Sequence, residues 1–183
     1  TGTLKIRDTV RSYYIVTPLA SDVDTLNNTQ TRVDTIRAGC DPNEMFVSPT
    51  GNILSCAPLQ YTINFENTGN DTAHNIYVID TLSDDVDPHS LRVVMSSATM
   101  NIGMLKYGTH NIVRFDFPNI NLLDSSHHGA CDGTVIFNIN AKSGLDDGTK
   151  ISNHAGIFFD VNDVVMTDTV ENIIGMEPIA GAA

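Results

Sequence analysis

Tryptophan is absent from the 183 residues, only 10 Lys and Arg stand against 22 Asp and Glu, and the cysteines number three. A formal net charge of −12 excludes a nucleic-acid surface, because phosphates need clustered Lys and Arg. With no Trp and five Tyr there is little material for an aromatic sugar platform. No apolar run reaches the length of a membrane-spanning helix. No signal peptide is visible, and the opening Thr1-Gly2-Thr3 reads as the start of a processed or excised piece. Gly-x-Ser-x-Gly, His-Glu-x-x-His and a phosphate-cradling glycine loop are all missing, which removes the common hydrolase, zinc-protease and nucleotide signatures. The histidines have no ligand spacing: His127-His128 lie in the polar stretch Asp124-Ser125-Ser126-His127-His128-Gly129 and read as solvated, and His74, His89, His110 and His154 are scattered.

What is present is alternation. At 41% apolar residues the chain can bury a core. Leu59, Tyr61, Ile63 and Phe65 fall on one face of an extended strand, with Gln60, Thr62, Asn64 and Glu66 on the other. Asn67-Thr68-Gly69-Asn70-Asp71 then turns the chain toward a second strand. A one-residue slip would expose the whole apolar face, so this hairpin sets the register. Strands are predicted at 58–66, 74–80, 90–95, 111–117, 133–141, 151–159 and 165–173, separated by Gly, Asn, Asp and Pro. That spacing predicts an all-β, antiparallel sandwich. Leu59, Tyr61, Ile63, Phe65, Val78, Phe115, Phe137, Ile139, Ile157 and Phe159 form the expected core, and 96–108 reads as either a strand or an irregular loop. Upstream, 4–7, 11–16 and 31–36 are extended around a polar turn region, and 39–51 is dense in turn formers. A boundary is placed near residue 38: an arm or the end of a preceding β-domain over 1–38, the sandwich over 39–175, and a linker over 176–183.

Two turns, Asp41-Pro42-Asn43-Glu44 and Asp160-Val161-Asn162-Asp163, carry hard oxygen donors of the kind Ca²⁺ takes, so Asp41, Asn43, Glu44, Asp160, Asn162 and Asp163 are candidate calcium ligands. The same side chains serve equally as Asx-turns that bond local backbone N–H groups, and that reading is preferred. Among the cysteines, Cys40 and Cys56 flank one loop at the entry to the first main strand, whereas Cys131 precedes an antiparallel strand and falls at the opposite end. A Cys40–Cys56 disulfide is expected, with Cys131 outside it; closing so short a loop stabilises by about 3 kcal/mol in the chain-entropy model. Three reduced thiols are the alternative.

From Cys40 onward the motif order resembles a known family. Asp41-Pro42-Asn43-Glu44, then Tyr61 to Gly69 (Tyr-Thr-Ile-x-Phe-x-Asn-Thr-Gly), then Ala73 to Leu82, then Asn153 to Asn162 (Asn-x-Ala-x-Ile-x-Phe-Asp-x-Asn) are similar to the Ig-like repeat domains found near the C-terminus of proteins exported by the Bacteroidota type IX secretion system. The resemblance covers about residues 38–175; Cys40 and Met45 depart from it at the first turn and Asp163-Val164 at the last. It implies an extracellular, surface-located module ahead of a sorting domain that engages the secretion machinery, with 176–183 as the linker. The triplets ending at Val10, Leu26, Ile36, Ala73, Leu82 and Val170 resemble the O-glycosylation acceptor of such proteins, making Thr9, Thr25, Thr35, Thr72, Thr81 and Thr169 candidate acceptors. Asp at a strand end followed by a strand-starting Thr produces the same triplet for structural reasons.

The function expected is structural or adhesive, without an active site, with neighbouring domains or further copies of the chain as partners. A carbohydrate-binding accessory module of a secreted hydrolase is the runner-up, and an enzyme comes third. The N-terminal strands either fold back on their own sandwich or add to the sheet edge of a neighbouring copy, which would build a filament.

Overall fold

The computed structural model describes residues 9–15, 29–35, 42–126 and 130–175. Two compact units divide the chain, Thr1–Asp41 and Pro42–Ala183. In the first unit, β1 (Thr9–Ile15) and β2 (Thr29–Thr35) form an antiparallel ribbon in which Thr9 pairs with Thr35 and Ile15 with Thr29. The predicted extended runs at 4–7 and the residues on either side of this ribbon lie outside the described residues.

The second unit holds β3 (Met45–Ser48), β4 (Gly51–Ile53), β5 (Pro58–Glu66), β6 (Ile76–Thr81), β7 (Val86–Ser96), β8 (Asn101–Tyr107), β9 (His110–Phe117), β10 (Asp132–Ala141), β11 (Lys150–Asn153), β12 (Ala155–Phe159), β13 (Val165–Met166) and β14 (Val170–Ile174). A four-stranded sheet, β3-β5-β10-β7, faces a five-stranded sheet, β13-β12-β6-β9-β8, and a small sheet of order β11-β14-β4 completes the unit. The all-β expectation holds, and β5 has the bounds read from its alternation.

Each strand is set by its period of two. Along β5 the odd positions from Leu59 to Phe65 are buried and the even ones half-buried. β10 repeats this with Val135, Phe137 and Ile139, and β9 with Val113, Phe115 and Phe117. Every residue of the expected core is buried. Phe137 joins the layers: its ring centroid lies 5.4 Å from Tyr61 in its own sheet and 5.4 Å from Phe115 in the other. Phe65 meets Phe117 across the gap at 5.2 Å. Gly133, paired with Phe65, leaves room for that ring, since a Cβ there would fall 2.2 Å from Phe65 Cε2.

Three details differ from the sequence reading, and one reading left open is resolved. The segment 39–51, read as turns, contains β3 and the start of β4. They are four and three residues long, too short for an alternation count to register. The run 151–159 is two strands that change sheet at His154, and 165–173 likewise divides into β13 and β14. The ambiguous stretch 96–108 contains a regular strand, β8. One pair, β4 with β14, is parallel rather than antiparallel.

Candidate functional site

Two features of the second unit stand apart from ordinary sandwich packing: a polar pair inside the core and an apolar edge outside it.

On β6, Ile76, Val78 and Asp80 share the inward face. Asp80 is therefore carried into the core by the same alternation that buries its neighbours, and it is fully buried. It pairs with Val113 on one side and Ala155 on the other. Asn153, at the end of β11, donates from Nδ2 to Asp80 Oδ2 at 2.9 Å. Asp80 Oδ1 and Asn153 Oδ1 are both buried and have no hydrogen-bond partner among the described residues. A proton on the carboxyl turns one of these two leftover acceptors into a donor, so the buried site favours the protonated acid. Burial pushes the Asp80 carboxyl up to about 7, against the opposing hydrogen bond from Asn153. Burial, and then the Asp80 charge, also raise the Tyr61 hydroxyl far above its ordinary value. Other buried amides stitch loops to strands. Asn67 Nδ2 donates to Asp71 O at 2.8 Å and Leu122 O at 3.0 Å, and Asn172 Nδ2 donates to Pro49 O at 2.9 Å and Gly51 O at 3.1 Å.

The edge is built by β7 and β8, the outer strands of the two facing sheets. Seven large apolar side chains are exposed there: Val93, Val94 and Met95 on β7, and Ile102, Met104, Leu105 and Tyr107 on β8. Ile102 and Met104 pair with Phe115 and Val113, whose side chains point into the core. They are nevertheless 48% and 45% exposed, so the sandwich is open along this side.

The residues singled out by sequence are dispersed. Asn43 and Glu44 are buried beside β5, with Asn43 Oδ1 accepting from Glu66 N at 3.4 Å and Glu44 N donating to Asn64 O at 3.2 Å. Asp160, in the left-handed region at φ 50°, accepts at Oδ2 from His74 N at 2.9 Å and at Oδ1 from Asn75 N at 2.8 Å. Desolvation acts upward on its carboxyl, but these bonds and the His74 charge outweigh it and leave the group below its ordinary value. Asn162 and Asp163 are exposed, and Asp41 lies outside the described residues. Among the described residues no three His, Cys, Asp or Glu gather to hold a metal ion. Asp160 acts instead as a backbone acceptor, but its donors lie 85 and 86 residues away in the chain, so it ties two loops together rather than forming the local Asx-turn expected from sequence.

Cys56 is exposed at the entry to β5, and its expected partner Cys40 lies outside the described residues. Cys131 is buried at the far end of β5, as its expected position required; its Sγ donates to Glu66 Oε1 at 3.5 Å. Of the candidate acceptors, Thr81 and Thr169 are exposed and Thr72 is half-buried. Thr9 and Thr35 begin β1 and end β2. Thr25, His127 and His128 lie outside the described residues. Sequence reading placed Asp80 and Asn153 in motifs without pairing them. The available signal was parity: Asp80 continues the inward series of Ile76 and Val78.

The sandwich is an Ig-like β-domain of the kind seen in bacterial pilins and adhesins. It is similar to the major pilin SpaA of Corynebacterium diphtheriae, at TM-score 0.51 and 8% identity over 78% of this chain and 45% of that one. It is also similar to the N-terminal domain of the Streptococcus gordonii adhesin Sgo0707, at TM-score 0.50 and 12% identity over 81% and 35%. The chain thus spans less than half the length of either. The chain itself belongs to the family described as domain of unknown function (DUF7619), whose model matches residues 41–173. No curated protein matches it. Among the described residues no helix is long and apolar enough to cross a membrane.

Proposed function

We propose that this chain is a non-catalytic, extracellular structural or adhesive module of a bacterial surface protein, exported by the type IX route, whose copies join by strand addition into a filament. The observation that carries the reading is the β7–β8 side: a sandwich open between its sheets, with apolar side chains exposed on both edge strands. Exposed apolar strands at a sheet edge are templates for pairing with another chain. The likeness to pilin and adhesin domains supports the fold on which this rests. Negative-stain electron microscopy of the concentrated full chain tests it. Linear polymers are expected; discrete monomers at every concentration would contradict it.

The carbohydrate-binding alternative has one observation in its favour. On the outer face of the five-stranded sheet, Tyr77 and Phe158 stack at 4.5 Å with ring planes 9° apart. But Phe158 from the β12 side and the Arg114 guanidinium from the β9 side, 4.4 Å from the ring centroid, both use Tyr77 faces. A sugar needs a free aromatic face. A glycan array is expected to show no binding, and reproducible millimolar or tighter binding of one sugar would favour the alternative.

Two covalent features belong to the same proposal. O-linked sugar on Thr9, Thr25, Thr35, Thr72, Thr81 or Thr169 is expected to add sugar mass to the peptides that contain these threonines in a digest of the native protein; peptide masses equal to the bare sequence at all six exclude it. Thr81 is the weakest acceptor, because the Asp80 of its triplet is fully buried and unavailable to a transferase in the folded protein. A Cys40–Cys56 disulfide suits an oxidising, extracellular setting. Non-reducing peptide mapping of the native protein is expected to recover that pair, and recovery of Cys131 in an intrachain bridge would refute it.

A further inference from the structure

The open side of the sandwich has a definite acceptor strand. Proteins blunt exposed sheet edges by shortness, bulges, proline or charge. Among the described residues β3, β4, β11 and β13 are edge strands of two to four residues. β7 contains Pro88, and its ladder with β10 is broken by two register shifts. β8 is not short and has no proline and no bulge; of these devices it carries only a single charge. It runs seven residues in unbroken register with β9, and the charge is that of Lys106. The two-residue turn after it begins with Gly108 at φ 61°, the geometry that makes Tyr107 and His110 a hydrogen-bonded pair. Such pairs then recur at Leu105, Gly103 and Asn101. The N–H and C=O groups of Ile102, Met104 and Lys106 therefore point away from β9 along the free edge.

A donor is present on the same chain. β1 and β2 are seven residues each, matching β8 in length. Their two-stranded sheet has no further described strand on either side, and an isolated ribbon of that size is marginal in water. β1, Thr-Val-Arg-Ser-Tyr-Tyr-Ile, is rich in β-branched and aromatic residues. Charge favours this donor over a second sandwich. Residues 1–41 carry five Lys or Arg and five Asp or Glu, which leaves five and 17 for residues 42–183, so the whole net charge of −12 lies after residue 41. Pairing two β8 edges brings two strongly acidic bodies together, whereas pairing β8 with β1 brings a neutral segment onto an acidic one.

Resting on the assembly reading above, we infer that β8 is the acceptor edge for β1 of a second copy of this chain, extending the five-stranded sheet from one molecule into the next. The contact is head-to-tail, since donor and acceptor are different surfaces, and it does not close at two copies. An apolar strand addition of this kind covers Ile102 and Met104 while satisfying the outward amides.

Sedimentation equilibrium of the full chain over a concentration series, with circular dichroism as a check of fold, tests this. The average mass of the wild type is expected to rise continuously past the dimer. Met104→Pro removes one outward N–H without touching the β9 ladder, and Met104→Lys places a charge on the edge; each is expected to weaken association by about tenfold or more. Leu54→Lys, at an exposed apolar position off this edge, is expected to leave association unchanged. A mass that stops at the dimer overturns the donor–acceptor pairing. Continued growth in both Met104 variants places the joint elsewhere and overturns the inference while leaving the assembly reading intact. A wild type monomeric throughout overturns both.

Discussion

Raising the pH from about 4 to about 8 will destabilise the sandwich through Asp80, by about 4 kcal/mol. The folded-state value of about 7 lies above the ordinary aspartate value of 3.8 because the carboxyl is fully buried. Below the unfolded value the acid is protonated in both states and its contribution is fully present. Between the two values the folded chain holds a proton that the unfolded chain releases, so stability falls as pH rises, and the loss is complete once the folded group ionises. Tyr61 is the titratable neighbour on the facing sheet that senses the charge. Asp80→Asn keeps the shape and supplies an amide that can donate to Asn153 Oδ1 while its own oxygen accepts from Asn153 Nδ2. Chemical denaturation at a series of pH values should show wild type and Asp80→Asn within about 1 kcal/mol of each other at low pH. At pH 8 the variant should be the more stable by roughly the full difference. Parallel pH profiles for the two proteins would show that Asp80 does not hold the proton.

Phe137→Ala should cost about 3–5 kcal/mol, the range for deleting a large buried side chain whose site cannot collapse. Its surroundings explain why the upper part of that range applies. Phe137 is fully buried, and its ring meets Tyr61 in one sheet and Phe115 in the other. It also pairs with Tyr61 on β5 and Val93 on β7. Truncation therefore opens a void bounded by both sheets, and the β-ladders on either side prevent inward relaxation. Urea denaturation measures the change directly; a loss below about 1 kcal/mol would place Phe137 outside the packed centre.

Where a strand runs long enough to alternate several times, its place in the fold was legible in the sequence. β5, β9 and β10 show this, and so does every one of the ten residues expected in the core. β3 and β4 were not legible, because four and three residues among turn formers leave no periodic signal. Nor was the change of sheet at His154, since alternation continues through it and only pairing reveals it. The motifs carried more than they disclosed. Asp80 comes from the stretch Ala73–Leu82 and Asn153 from Asn153–Asn162, and the fold joins them as one buried pair. A linear sequence shows that each is polar within an apolar alternation, but not that each is the other's partner. β8 was ambiguous because Ile102, Met104, Leu105 and Tyr107 put apolar side chains on both faces. That lack of alternation is the same property that makes the strand an exposed, apolar edge.

Residue-resolved amide hydrogen exchange on the full chain, dilute and concentrated, tests the central claim most directly. The outward amides of Ile102, Met104 and Lys106 should exchange rapidly in dilute solution and become protected on concentration, while Asn101, Gly103 and Leu105, bonded to β9, should be protected in both. If the β8 edge exchanges at the same rate at every concentration, or if new protection arises elsewhere and leaves β8 unchanged, no strand is added there and the account of this edge as the joint between copies is wrong.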